Sequence, residues 1–121
     1  MDVFNITAVP AVTTKDGSEI RELLADRNSC IRNQSLAEAR LPPDGRTTRH
    51  YHPVTEEIYY LLEGTGLMEI AGELRPVGPG DAIAIPPGAI HQITNTGRDV
   101  LKFLCCCAPG YTDNDTVLCE H

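Results

Sequence analysis

The chain has 121 residues and a mass of 13.2 kDa, which is room for one domain with one modest core. Ten Lys and Arg stand against 17 Asp and Glu, a formal charge of −7. That balance excludes the clustered cations that nucleic acid or an anionic membrane surface requires, so neither is an expected partner. Ten glycines and nine prolines point to a turn-rich, all-β chain.

The start, Met1-Asp2-Val3-Phe4-Asn5, has no basic n-region and no apolar h-region, which predicts a cytoplasmic protein. Residues 1–29 read as a strand and helix extension packing on a barrel of residues 30–107, followed by a tail over 108–121. A short helix is expected from Ser18 to about Ala25. Ile20, Leu23 and Leu24 fall at helical spacing there, and Asp16 or Ser18 caps the start.

Short strands punctuated by turns follow. Residues 30–41 read as a strand, Pro42-Pro43-Asp44-Gly45 as a turn and residues 46–52 as a second strand. Pro53 ends it, since proline cannot donate to a ladder. Residues 56–62 form the next strand, and 67–70 with 73–77 form a hairpin around Ala71-Gly72. Strands over 82–85, 90–95 and 100–107 complete the series. This regular spacing implies a sandwich or barrel. The tail from Ala108 either wraps the barrel or is loose.

Five cysteines without a signal peptide argue for reduced thiols. The Cys105-Cys106-Cys107 run lacks the spacing of a zinc site and continues the apolar strand Val100–Leu104, so it reads as core packing.

His50 and His52 alternate in a strand and point to one face. Glu57 shares a face with Tyr59 and Leu61, and His91 shares one with Ile93. If these strands are neighbours in a closed barrel, three imidazoles and one carboxylate converge. That donor set suits one first-row divalent metal and leaves up to two positions open in an octahedron. Spacing alone leaves the bland reading standing: histidines on a solvated strand face, with His121 a solvated end.

The surrounding glycines and prolines match a known pattern. Gly80, Pro86, Gly88, His91 and Asn95 stand at the spacings of the second motif of the cupin superfamily. Gly45, His50, His52, Glu57 and Gly64 resemble its first motif, with four residues instead of five between Gly45 and His50. The resemblance implies a small double-stranded β-helix, or jelly-roll, with His50, His52, Glu57 and His91 around one divalent transition metal (Fe, Mn, Zn, Ni, Co or Cu). Glu56 is the rival carboxylate; Glu57 is preferred because it keeps the six-residue spacing to Gly64.

Parity places further candidates around that site. Tyr59 reads either as a hydrogen-bond donor or proton carrier beside Glu57, or as a core aromatic. Met68, Ile70, Ile93 and Phe103 are candidate pocket walls. Gln34 and Gln92 are polar strand residues within possible reach of a ligand, although Gln34 fits the outside of the sheet equally well. The resemblance implies a small oxygenated organic ligand that chelates the metal. Its expected activities are those of a dioxygenase, isomerase or lyase, or of a non-catalytic binding or sensing module. The apolar face of Ile58, Tyr60 and Leu62 implies a homodimer.

Overall fold

The computed structural model describes residues 1–119, so His121 lies outside the described residues. Its strands are β1 (Val12–Thr13), β2 (Glu19–Leu24), β3 (Ser35–Leu41), β4 (His50–Tyr51), β5 (Glu56–Glu63) and β6 (Gly66–Ile70). They continue with β7 (Glu73–Val77), β8 (Ala82–Ile85), β9 (His91–Asn95), β10 (Leu101–Ala108) and β11 (Val117–Leu118). Six of them form one sheet in the order β1-β2-β3-β10-β5-β8, and five form the other as β11-β4-β9-β6-β7. The pairings are antiparallel, and from β3 onward the chain passes from one sheet to the other at each connection except the β6–β7 hairpin, which makes the jelly-roll. No helix among the described residues is long and apolar enough to cross a membrane.

The sheets face each other through alternating side chains. In β10, Leu101, Phe103, Cys105 and Cys107 are buried, while Lys102, Leu104 and Cys106 are only partly covered. In β5, Glu57, Tyr59 and Leu61 turn inward and Ile58, Tyr60 and Leu62 outward. Leu41, Leu61, Ile93, Leu101 and Phe103 form the centre of the core.

The segment expected as a helix over Ser18–Ala25 is strand β2. It pairs with β3 through Ile20↔Ala39 and Arg21↔Glu38, and β1 pairs on its other side. The helical spacing of three apolar residues is outweighed by the open edge of β3, whose backbone groups need a partner. The alternation Ser18, Ile20, Glu22 then faces the interior between the sheets. Among the described residues, helical geometry is confined to single 3-10 turns over Ile6–Ala8 and Asp113–Asp115.

Two loop features fix the chain around the site. Asn95 donates to the carbonyls of Leu41 and Asp99 at 3.0 and 2.8 Å and accepts from the Gly97 N–H at 2.9 Å. The tail wraps back, with Leu118 opposite His50, and the Cys119 N–H bonds to the Arg49 carbonyl at 2.8 Å.

Candidate metal centre

His50 lies in β4 directly opposite His91, the first residue of β9. His52 follows two residues after His50, at the point where Pro53 turns the chain toward β5. Their rings cluster, with centroids 4.2 Å apart for His50 and His91, 5.1 Å for His50 and His52, and 5.6 Å for His52 and His91. One ring nitrogen from each lies within 4.8 Å of the other two.

Each Nδ1 is held by a backbone carbonyl: Thr48 for His50 at 2.7 Å, Asp115 for His52 at 3.0 Å and Ala89 for His91 at 2.9 Å. A carbonyl only accepts, so Nδ1 carries the hydrogen and a neutral ring presents its Nε2 lone pair inward. These bonds orient the rings as metal-binding histidines require. The motif prolines and glycines build them. The Pro86–Ala89 turn aims the Ala89 carbonyl at His91, and Gly88, at φ +81°, donates its N–H to the His52 carbonyl at 2.8 Å. Gly80 donates to Leu61 at 2.9 Å, and the Gly45 carbonyl accepts from the Asn95 N–H at 2.8 Å.

Glu57 reaches the cluster from β5. Its Oε1 lies 3.3 Å from His52 Nε2 and 3.6 Å from His91 Nε2. Its Oε2 accepts from the Cys107 thiol at 3.2 Å. Glu57 Oε1 and His91 Nε2 are buried and have no hydrogen-bond partner among the described residues. Leaving two such atoms bare costs on the order of 1–3 kcal/mol each. A divalent cation among three imidazoles and a carboxylate satisfies both, so the donor set fits a metal.

Burial presses Glu57 toward its neutral form, but the neighbouring His52 and His91 outweigh it and hold the carboxyl at about 2. Burial likewise presses His52 down, and Glu57 together with Asp115 reverses this and raises it. His50 is lowered by burial and then by the nearby His91. Burial, then the Glu57 charge, push the Cys107 thiol up, so it stays protonated and donates. The raised His52 predicts proton release on metal binding. At pH 7 calorimetric titrations in buffers of different ionisation enthalpy should report a displaced proton. The release should fade, and affinity level off, as pH rises through the His52 value. No release at pH 7 would contradict this.

A cavity of about 60 Å³ opens beside the cluster, room for roughly four waters. His50, His52 and Glu57 form its floor, and Tyr59, Phe103 and Cys105 part of its wall. Tyr59 is buried, with its ring 4.6 Å from Phe103 and 6.0 Å from His91. Its hydroxyl is pushed well up by burial and then by Glu57, so it holds its proton.

The other candidates lie elsewhere. Met68 and Ile70 border a separate opening of about 340 Å³ with Arg75 and Asp81. Ile93 is enclosed in the core. Gln34 is exposed beside Leu24 and Cys106, on the outer side of the sheet. Gln92 spends its amide on the Thr47 carbonyl at 2.8 Å, and Glu56 is exposed.

Cys107, Tyr111, Asp115 and Asp16 also reach the site. Cys107 braces Glu57, and parity with Phe103 carries that signal in the sequence. Tyr111 borders the cavity, its ring edge-on to His52 at 6.0 Å. Asp115 holds His52 through its carbonyl, and its carboxylate accepts from the N–H groups of Val54 and Thr55 at 3.1 and 2.8 Å. Asp16 comes from the β1–β2 turn, with Oδ2 3.6 Å from His50 Nε2.

Known proteins carry the same architecture. The cupin domain family matches residues 37–107. An uncharacterised protein of Methanocaldococcus jannaschii is 50% identical over 107 residues, 88% of this chain and 86% of its own. The oxalate-binding protein of Thermotoga maritima is 34% identical over 86 residues, 71% of each chain. A crystal structure described as a predicted oxalate decarboxylase from Thermotoga maritima superposes with a TM-score of 0.79 at 27% identity, covering 90% of this chain and 99% of that one. The polyketide cyclase RemF from Streptomyces resistomycificus gives 0.78 at 28% identity, covering 89% and 79%. The matched segment contains the whole histidine and glutamate cluster, and the chain belongs to the cupin family.

Proposed function

We propose that the protein binds one divalent transition metal through His50, His52, Glu57 and His91, and acts as a metal-dependent enzyme on a small oxygenated molecule that chelates the metal. The observation that carries this reading is the pair of bare, buried acceptors, Glu57 Oε1 and His91 Nε2, inside a ring of imidazoles already oriented by backbone carbonyls. Iron, manganese, zinc, nickel, cobalt and copper all accept this nitrogen and oxygen set. When bound, the ion supplies Lewis acidity to a ligand oxygen. The chain's own residues do the rest. Phe103, Tyr59 and Cys105 wall the cavity against water, and the Tyr59 hydroxyl, which keeps its proton, offers a hydrogen-bond donor there. The volume of about 60 Å³ suits a compact acid or carbonyl compound better than a hexose phosphate. A cytoplasmic location suits the five cysteines, all of them free thiols.

A second reading, a binding or sensing module without turnover, is favoured by the likeness to an oxalate-binding protein. Elemental analysis of protein purified without chelators should find about one metal per chain. A substrate panel beginning with oxalate, run in air and without oxygen, then separates the readings. Metal-dependent turnover supports the enzyme, and metal-dependent affinity without turnover supports the module. A chain that takes up no metal overturns both.

The same proposal includes a homodimer. Ile58, Tyr60 and Leu62 are 49%, 42% and 37% exposed on the outer face of β5, a row that needs cover. Sedimentation should give a mass near twice 13.2 kDa, and Tyr60→Lys should shift it toward the monomer. A wild-type monomer at micromolar concentration would rule the dimer out.

A further inference from the structure

We infer that Asp16, carried by the turn between β1 and β2, is a fifth ligand of the same metal and takes one of the two positions that the four cluster residues leave open. This rests on the four-ligand centre proposed above.

The two carboxylate oxygens of Asp16 do different work. Oδ1 is committed to its own turn, accepting from the Ser18 hydroxyl at 2.6 Å, the Thr14 hydroxyl at 2.9 Å and the Ser18 N–H at 3.0 Å. Oδ2 has no hydrogen bond among the described residues and faces His50 Nε2 at 3.6 Å, beyond hydrogen-bonding reach. His50 gives its Nδ1 hydrogen to Thr48, so in the neutral ring Nε2 is an acceptor, as is Oδ2. Two acceptors turned toward one another at this distance describe a cation site. Glu57 Oε1 stands to His91 Nε2 at the same 3.6 Å. Neighbouring donors on one divalent ion are roughly 3 Å apart when each bond is near 2.1 Å, so both pairs need only a small closure.

The turn is also tied to the strand that carries the histidine. The Asp16 carbonyl accepts from the Thr48 N–H at 2.7 Å, and the Thr48 carbonyl in turn accepts from His50 Nδ1 at 2.7 Å. Asp16 is thus built into the orientation of His50 rather than draped over the mouth of the barrel.

A fifth, anionic ligand changes what the centre accepts. Two carboxylates neutralise a divalent ion, so an anionic chelator meets no net positive charge and must displace Asp16 to bind through two atoms. Asp16 therefore disfavours small dianions relative to neutral or singly charged chelators, which displace it at a lower electrostatic cost.

Asp16→Asn is the discriminating variant, because an amide keeps an oxygen for the Oδ1 bonds and loses the ligating oxygen. Co(II) affinity, read by competition with a chromophoric chelator, should fall about ten- to hundredfold. The visible Co(II) spectrum should change with coordination number, while the metal-free melting temperature stays put. Oxalate should bind the Co(II)-loaded variant about tenfold more tightly than the loaded wild type. Glu56→Gln, which removes an exposed carboxylate outside the site, should retain wild-type Co(II) affinity. Unchanged Co(II) affinity and spectrum in Asp16→Asn would overturn the inference and leave the four-ligand centre standing. So would an equal loss in Glu56→Gln. A wild-type chain that binds no Co(II) would overturn the centre and the inference together.

Discussion

His91→Ala should abolish metal retention. After dialysis the variant should carry almost no metal where the wild type keeps about one equivalent. His91 has no exposed surface, and its Nε2 is one of the two buried atoms left bare. Its loss takes away one donor and also the partner that, with His52, holds Glu57 ionised. The stability readout follows by mass action. Metal at a hundred times its dissociation constant stabilises the folded chain by about 2.7 kcal/mol. For a domain of this size that raises the wild-type melting temperature by roughly 10 °C. Removing a buried ring also lowers stability by itself, so the decisive quantity is the shift caused by metal and not the absolute midpoint. A variant that melts lower but still gains the full metal-induced shift would remove His91 from the centre.

The inward faces of β5, β9 and β10 are legible in the sequence because a strand repeats every two residues. Glu57 with Tyr59, His91 with Ile93 and Phe103 with Cys105 fall out of that period. The same period says which face a residue takes and not how deep along the barrel it sits. Met68 faces inward opposite Ile93, yet it stands away from the cavity, while His91 lies one inward position further along β9. The strand β2 was hidden because Ile20, Leu23 and Leu24 also satisfy a helical period. What makes the segment a strand is its pairing with β3, distant in sequence. Asp16 reads from sequence as a candidate helix cap, whereas in the fold its turn is tied to β4 by a backbone bond from Thr48. In the tail, Asp115 orients His52 with its backbone carbonyl, a group that every residue possesses, so no residue type announces that role.

Gly64→Ala should cost about 2–4 kcal/mol in urea unfolding, against about 1 kcal/mol for Gly80→Ala. Both glycines have positive φ, +86° and +89°, so both pay the left-handed strain. Their surroundings differ. A methyl group on Gly64 would meet the Val100 carbonyl oxygen at 2.7 Å and the Leu101 Cα at 2.9 Å, whereas one on Gly80 would meet nothing within 4 Å. The atoms in the way are backbone at the start of β10, which cannot swing aside as a side-chain tip would. Relief requires β5 and β10 to part just where their pairing already shifts, between Lys102 and Phe103. Those two strands carry Glu57 and its brace Cys107, opposite each other in register. Gly64→Ala should therefore weaken metal affinity as well as stability, while Gly80→Ala leaves affinity near the wild-type value. Equal costs for the two variants would mean that left-handed strain alone, and not the close approach of β10, accounts for the glycine at position 64.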